Sequence, residues 1–155
     1  MAAVTVMRDQ VIAEARSWIG TPFSHQQTMR GIACDCGGLP RGVCIALGTF
    51  PADYHLLPEA QPFLGYGRLP DGVSMQQACA TFMTPIARED MQAGDAILVR
   101  FDSHPQHLGI LTPYRHGGLA FVQATPRGVI ETRLLFGTEP RAMKFVAAYR
   151  LPGVA

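Results

Sequence analysis

Residues 31–39 read Gly-Ile-Ala-Cys-Asp-Cys-Gly-Gly-Leu, and this stretch sets the expected fold and chemistry of the chain. Cys36 follows Asp35 and precedes two glycines and an apolar segment, which predicts a nucleophile at the start of a buried helix. A helix N-terminus carries partial positive charge and free N–H groups, and both favour the reactive thiolate over the thiol. The glycines, Gly37 first, leave room for a substrate backbone near the sulfur. The alternative is that Cys36 is a small buried core residue, as free cysteine often is.

A histidine and a glutamine further along the chain are candidate partners for this thiol. His107 opens an apolar segment that predicts a strand, and Gln123 interrupts the apolar run of the next strand. A fold can bring a cysteine and a distant histidine together as nucleophile and base. The amide oxygen of Gln123 would accept a hydrogen bond from the imidazole and fix its tautomer. His104, expected in the loop before the strand, is the alternative base.

Helices are expected in the first half of the chain and consecutive strands in the second half. The hydrophobic periodicity predicts an amphipathic helix over Met7–Ile19, a helix from Cys36 to Leu47 and a short helix over Ser74–Met83. The strands are expected at Ala96–Phe101, His107–Thr112, Leu119–Ala124, Val129–Thr132 and Phe145–Leu151. This order favours an α+β class, with N-terminal helices packed on an antiparallel sheet, in one domain over residues 1–155. The long Pro- and Gly-rich connection from Phe50 to Gly72 is expected to cover one side of a cleft.

Several of these segments, taken in order, resemble the NlpC/P60 cysteine peptidases. The segments are Thr21-Pro22-Phe23, Cys34-Asp35-Cys36-Gly37-Gly38-Leu39, Gly94-Asp95, His107-Leu108-Gly109-Ile110 and Gln123-Ala124. The subgroup that the chain resembles most is that of cell-wall peptidases encoded among the tail genes of phages and gene transfer agents. The resemblance runs from about Val11 to Pro152, which is nearly the whole chain. It implies a papain-like α+β fold and a thiol protease that hydrolyses peptide bonds in bacterial peptidoglycan.

The resemblance also implies roles for individual residues. Cys36 is the nucleophile, His107 the general base and Gln123 the orienting residue, while Cys34 is an accompanying, non-nucleophilic cysteine. The positions that would meet substrate are Phe23, Asp35 and Gly37. From the residue type alone, Asp35 is expected to cap the helix that follows it.

Four residues depart from the family pattern, Phe23, Gln123, Gly37 and Pro40, and Phe23 and Pro40 keep other functions open. Phe23 stands where the family commonly has Tyr, so it cannot donate a hydrogen bond to the oxyanion or substrate. Pro40, expected at the fourth or fifth helical position, would remove one helical hydrogen bond and shift Cys36. Both departures favour an alternative in which the chain is a structural tail-tip protein with a peptidase fold. A further alternative is a related hydrolase or acyltransferase for another amide or ester, which a cleft shaped for a lipid chain would indicate.

Composition limits the expected partners and location. The formal net charge is +1 and no basic stripe stands out, so nucleic acid is not an expected partner. No stretch is long and apolar enough to cross a bilayer, and Met1–Arg8 lacks the pattern of a signal peptide. We therefore expect synthesis in a cytoplasm and delivery by a phage particle, from its tail, to the periplasm or cell wall. The expected partners are peptidoglycan stem peptides and phage tail proteins.

The cysteines are expected to be free thiols. The chain has four of them and no signal-peptide pattern, which argues against a disulfide framework. Cys44 and Cys79 lie in apolar segments and are expected in the core. The Cys-x-Cys spacing of Cys34 and Cys36 is tighter than the usual zinc pair, and no second pair exists. Neither a metal nor another cofactor is therefore expected.

Overall fold

The chain folds into a mixed α+β structure with antiparallel sheets, which confirms the class predicted from the sequence. The computed structural model describes residues 4–64, 72–101 and 104–155. Three α-helices lie within these residues: α1 (Arg8–Ser17), α2 (Gly38–Ala46) and α3 (Gly72–Phe82). The strands within them are β1 (Thr28–Met29), β2 (Ala33–Cys34), β3 (Thr84–Ile86), β4 (Ala96–Phe101), β5 (His104–Pro113), β6 (Leu119–Thr125), β7 (Gly128–Arg133) and β8 (Lys144–Arg150).

The main sheet places β5 and β6 side by side near its centre. Among the described residues it has six strands in the order β3-β8-β4-β5-β6-β7, and every neighbouring pair is antiparallel. In the β5–β6 register Gly109 faces Gln123, so His107 lies two residues along β5 on the same face as Gln123. The short β1–β2 pair forms a separate hairpin directly before α2.

The two faces of the sheet carry two apolar clusters. Leu108 and Ile110 of β5 pack with residues of the helices, including Val11 of α1 and Leu39 of α2. Leu111, on the other face of β5, packs with Phe121 of β6 and other residues of the opposite cluster. Because successive side chains of a strand point to opposite faces, His107 belongs to the face of Leu111 and Phe121.

The Gly94-Asp95 segment joins α1 to the sheet. Gly94 has φ of +95°, a conformation that glycine adopts readily, and it turns the chain into β4. The Asp95 carboxylate is fully buried and accepts a hydrogen bond from Arg8 at 2.7 Å. This buried ion pair holds the start of α1 against the start of β4.

Most predicted elements are confirmed, and the differences are local. The five predicted strands all form, and α2 ends at Ala46 before Gly48, close to the predicted end. The sequence did not predict the β1–β2 hairpin or β3, because two- and three-residue strands carry too little alternation to be seen. His104 was expected outside the strand but begins β5, where it pairs with Phe101; its side chain lies outside the described part of the structure.

The connection after α2 is not a featureless loop. Two 3₁₀ segments, Tyr54–Leu56 and Pro58–Phe63, occupy its first part. Tyr54 and Phe63 line a cavity beside α2 and α3, so this part packs against the helices. Residues 65–71 of the connection lie outside the described residues.

The close packing of α1 on α2 depends on Gly42, which gives a test of the fold. A Cβ at position 42 would collide with the Trp18 ring, so we expect Gly42→Ala to lower the free energy of unfolding by about 1–3 kcal/mol. Urea denaturation measures this. Gly37→Ala is the matched control, since the nearest atom to its Cβ would be 4.0 Å away. Equal stability of the two variants would contradict the packing.

Candidate functional site

Asp35 fixes the turn that carries Cys36. Its carboxylate is buried and accepts hydrogen bonds from the backbone N–H groups of Gly38, at 2.7 Å, and Gln26, at 2.8 Å. Its own backbone carbonyl accepts from Leu39 at 3.1 Å. The predicted helix cap is therefore confirmed, and the carboxylate also ties the loop before β1 to the start of α2.

Pro40 removes one hydrogen bond at the start of α2, but the hydrogen bonds on either side of it still form. Leu39 N–H bonds the Asp35 carbonyl and Arg41 N–H bonds the Gly37 carbonyl, at 3.1 and 3.4 Å. The bond between them, from position 40 to the Cys36 carbonyl, is missing because proline has no N–H. Since regular helix begins only at Gly38, Pro40 is the third helical residue. Counted from the Asp35 cap it is the fifth residue, as predicted, and the predicted loss of one hydrogen bond follows from the missing N–H.

Backbone amides surround the Cys36 sulfur. The N–H groups of Leu108, Gly37 and Cys36 itself all form hydrogen bonds that favour the thiolate. The bond from Leu108 places the sulfur against β5, at the residue next to His107. The predicted base, His107, is 71 positions away in the chain and directly precedes Leu108 in the same strand. Its side chain lies on the face of Leu111 and Phe121.

His107 is held by the residue predicted to orient it. The distance between His107 Nε2 and Gln123 Oε1 is 2.6 Å. Because an amide oxygen only accepts, Nε2 carries the proton and Nδ1 of the neutral ring keeps its lone pair. Gln123 in turn donates from Nε2 to Thr132 Oγ1 at 2.7 Å, which fixes the amide orientation. Sequence reasoning missed Thr132; its place in β7, beside the Gln123 strand, is the signal that identifies it.

Burial sets the protonation of both groups. It raises the pKa of the Cys36 thiol to about 11, helped by the charge of Asp35, against the lowering effect of the three amides. Burial also lowers the pKa of His107, although the Gln123 hydrogen bond opposes this. Near neutral pH both groups are therefore uncharged, Cys36 as a thiol and His107 as an imidazole. The thiolate expected from the helix N-terminus is not the resting form, because desolvation outweighs the amide hydrogen bonds.

The other cysteines are core residues. Cys34, in β2, is fully buried, and so are Cys44 and Cys79 to within 4% of their surface. Burial raises the pKa of Cys34 and Cys44 to about 11 and that of Cys79 to about 12. Cys36 alone among these free thiols is partly exposed, which favours it over Cys34 as the nucleophile.

Phe23 and Gly37 lie around the same turn. Phe23 is 40% exposed and its backbone forms a parallel bridge with Cys34. Gly37 lines the apolar cavity between α2 and α3, which Leu108 also lines. Phe23 thus lies beside β2, the run Asp35–Gly37 lies between β2 and α2, and His107 and Gln123 lie on the neighbouring strands β5 and β6.

Residues 4–64, 72–101 and 104–155, which the structure describes, contain neither a candidate metal cluster nor a membrane-spanning helix. No group of three or more His, Cys, Asp or Glu side chains in these ranges could hold a metal ion. No helix there has the length and apolar character needed to cross a bilayer.

Comparison with models of known protein families finds no match, and comparison with curated proteins finds none either.

Alkylation of Cys36 tests its protonation state. Only the thiolate reacts, and the pKa of Cys36 is about 11. We therefore expect Cys36 to react with iodoacetamide at pH 8 roughly 100-fold more slowly than an unburied cysteine. The rate constant should still increase with pH above pH 9. Mass spectrometry of the peptide that contains Cys36 measures the rate. Glutathione is the reference thiol. A rate that levels off near neutral pH would instead indicate a thiolate–imidazolium pair.

Replacement of Gln123 tests its contact with His107. Gln123→Glu would place a carboxylate against Nε2, so we expect the His107 pKa to rise by about 1–3 pH units. NMR titration of the imidazole measures it. Thr132→Val, which removes only the partner of the Gln123 amide, is the control and should move the pKa far less. An unchanged pKa in Gln123→Glu would show that the two side chains do not meet in solution.

Proposed function

We propose that this protein is a cysteine hydrolase that cleaves amide bonds by acyl transfer to Cys36. One observation carries the proposal: the Cys36 sulfur is bonded by the Leu108 amide, and the residue before Leu108 is a histidine whose Nε2 lies 2.6 Å from Gln123 Oε1. A nucleophile, a base and a group that fixes the base are the parts that such a reaction needs.

The reaction begins with proton transfer from the Cys36 thiol to Nδ1 of His107, the nitrogen that Gln123 leaves unprotonated. The sulfur then attacks the substrate carbonyl carbon, and a C–S bond forms. The C–N bond breaks as the imidazolium returns its proton to the leaving amine. Water, deprotonated by His107, hydrolyses the thioester and restores the thiol.

Backbone amides are the candidate stabilisers of the oxyanion. The N–H groups of Cys36, Gly37 and Leu108 all point to the region of the sulfur. Since Phe23 has no hydroxyl, these fixed dipoles supply the stabilisation that a tyrosine at that position would share. Because the resting thiol is protonated, a base has to remove its proton before the sulfur can attack the carbonyl.

Peptidoglycan stem peptides are the proposed substrate, with the NlpC/P60 family as the proposed relationship. The ordered motifs support this, together with an α+β structure whose helices cover one face of an antiparallel sheet. In this proposal a phage or phage-like particle carries the protein in its tail tip or baseplate. Assembly takes place in the host cytoplasm and cleavage in the periplasm or cell wall.

A structural tail-tip role without catalysis is the second candidate. The high pKa of Cys36 and the missing hydroxyl of Phe23 favour it, because both reduce reactivity. A folded wild-type protein that releases nothing from peptidoglycan would support this role.

Digestion of purified Gram-negative peptidoglycan tests the proposal. We expect stem-peptide fragments from wild type and Cys34→Ala, and a loss of release of at least about 1,000-fold in Cys36→Ala, since covalent catalysis ends without the thiol. Mass spectrometry of the released fragments identifies the bond. Circular dichroism confirms that each variant folds. Activity that survives in Cys36→Ala but not in Cys34→Ala would move the nucleophile to Cys34.

A further inference from the structure

An apolar cavity of about 120 Å³ lies between α2, α3 and the 3₁₀ segments. Its lining is almost wholly hydrocarbon, aromatic ring and sulfur. Among the described residues that line it, Arg41 is the only charged one, and its guanidinium stacks on Tyr54 at 4.7 Å from the ring centroid. The apolar walls include Cys44, Phe50, Phe63, Met75, Ala78 and Phe82.

The cavity lies next to the turn that carries the proposed nucleophile. Gly37, the residue after Cys36, and Leu108, whose amide bonds the sulfur, both line it. Cys79 lines it as well and interacts electrostatically with Cys36. A group bound in this cavity would therefore be attached close to the carbonyl that Cys36 attacks.

The size and lining of the cavity limit what it can hold. An apolar cavity of roughly 150 Å³ is enough to bind benzene, so this one suits an apolar group of about six heavy atoms. Cationic groups are disfavoured, because the charged residue among the described lining residues, Arg41, is itself a cation and would not offset their desolvation. The polar D-γ-glutamyl and diaminopimelate residues expected of a stem peptide do not match it.

We propose that this cavity binds an apolar group of about six carbons on the acyl side of the substrate, joined to the carbonyl that Cys36 attacks. The inference rests on Cys36 as the nucleophile of the proposed function, and it does not rest on peptidoglycan as the substrate. The substrate class is an amide or ester whose acyl part is a short aliphatic chain or a branched or aromatic side chain.

A series of p-nitrophenyl esters tests the acyl preference. Cys36 sulfur bonds the acyl carbon, the bond to p-nitrophenolate breaks, and water then releases the carboxylic acid and restores the thiol. From the acetyl to the hexanoyl ester we expect kcat/KM to rise about 100-fold, since four more CH₂ groups are buried. The dodecanoyl ester, too long for the cavity, should gain nothing further.

Two substitutions in α3 make a matched pair for this series. Ala78 lines the cavity and Ala80 is exposed on the same helix. Ala78→Phe should lower the ratio of kcat/KM for the hexanoyl and acetyl esters from about 100 to near one, and Ala80→Phe should leave this ratio at the wild-type value. Ala78→Leu serves in place of Ala78→Phe if the larger side chain prevents folding.

Binding without chemistry separates this inference from the proposed function. In Cys36→Ala, hexanamide should shift the methyl NMR signals of Met75 and Met83, and acetamide should not. Binding of hexanamide with no acylation by any ester would support the cavity and refute the nucleophile. If esters of every chain length acylate Cys36 at the same rate and hexanamide does not bind, the cavity proposal is refuted. The proposal of Cys36 as the nucleophile would then still hold.

Discussion

The buried carboxylate of Asp35 is the interaction on which the site depends. One oxygen holds the first helical amide of α2 and the other holds the loop that leads into β1. A buried carboxylate requires such hydrogen bonds, so the turn between hairpin and helix has little freedom. Cys36 lies within that turn, and its sulfur is thereby presented to β5. The same charge has a cost for reactivity, because it helps to raise the pKa of the thiol.

Glycine makes the tight turn possible. A Cβ at Gly38 would collide with the Gln27 carbonyl and approach Thr28 Oγ1 to 2.7 Å, so the hairpin and the helix could not come together. Asp35 and Gly38 therefore act as one unit: the carboxylate draws the two segments together, and the missing side chain lets them meet. This is a physical reason for the Cys-Asp-Cys-Gly-Gly order that is independent of any family resemblance.

The chemical identity of the substrate depends on two features that point in different directions. The ordered motifs favour a polar peptidoglycan peptide, whereas the cavity beside Cys36 favours an apolar acyl group. A hydrophobic pocket gains binding energy from each buried CH₂, so an occupant that lacks apolar surface would leave that energy unused. In the proposed reaction the thiol, the imidazole and the amides would act in the same way on either substrate, because the acyl-transfer chemistry is the same.

The sequence by itself determined the order and type of the main elements, and it named the candidate site residues. The alternation and periodicity of apolar residues show which face of a segment is buried. Five strands and the helices near Val11, Val43 and Cys79 could therefore be predicted from the sequence. Only the tertiary structure decided the protonation and the hydrogen-bond partners of the candidate site residues. The pKa values of Cys36 and His107 depend on burial by distant segments, and Thr132 reaches Gln123 only through the pairing of β6 with β7. The cavity, built by α2, α3 and the 3₁₀ segments together, has no local signature either, because no one segment encloses it.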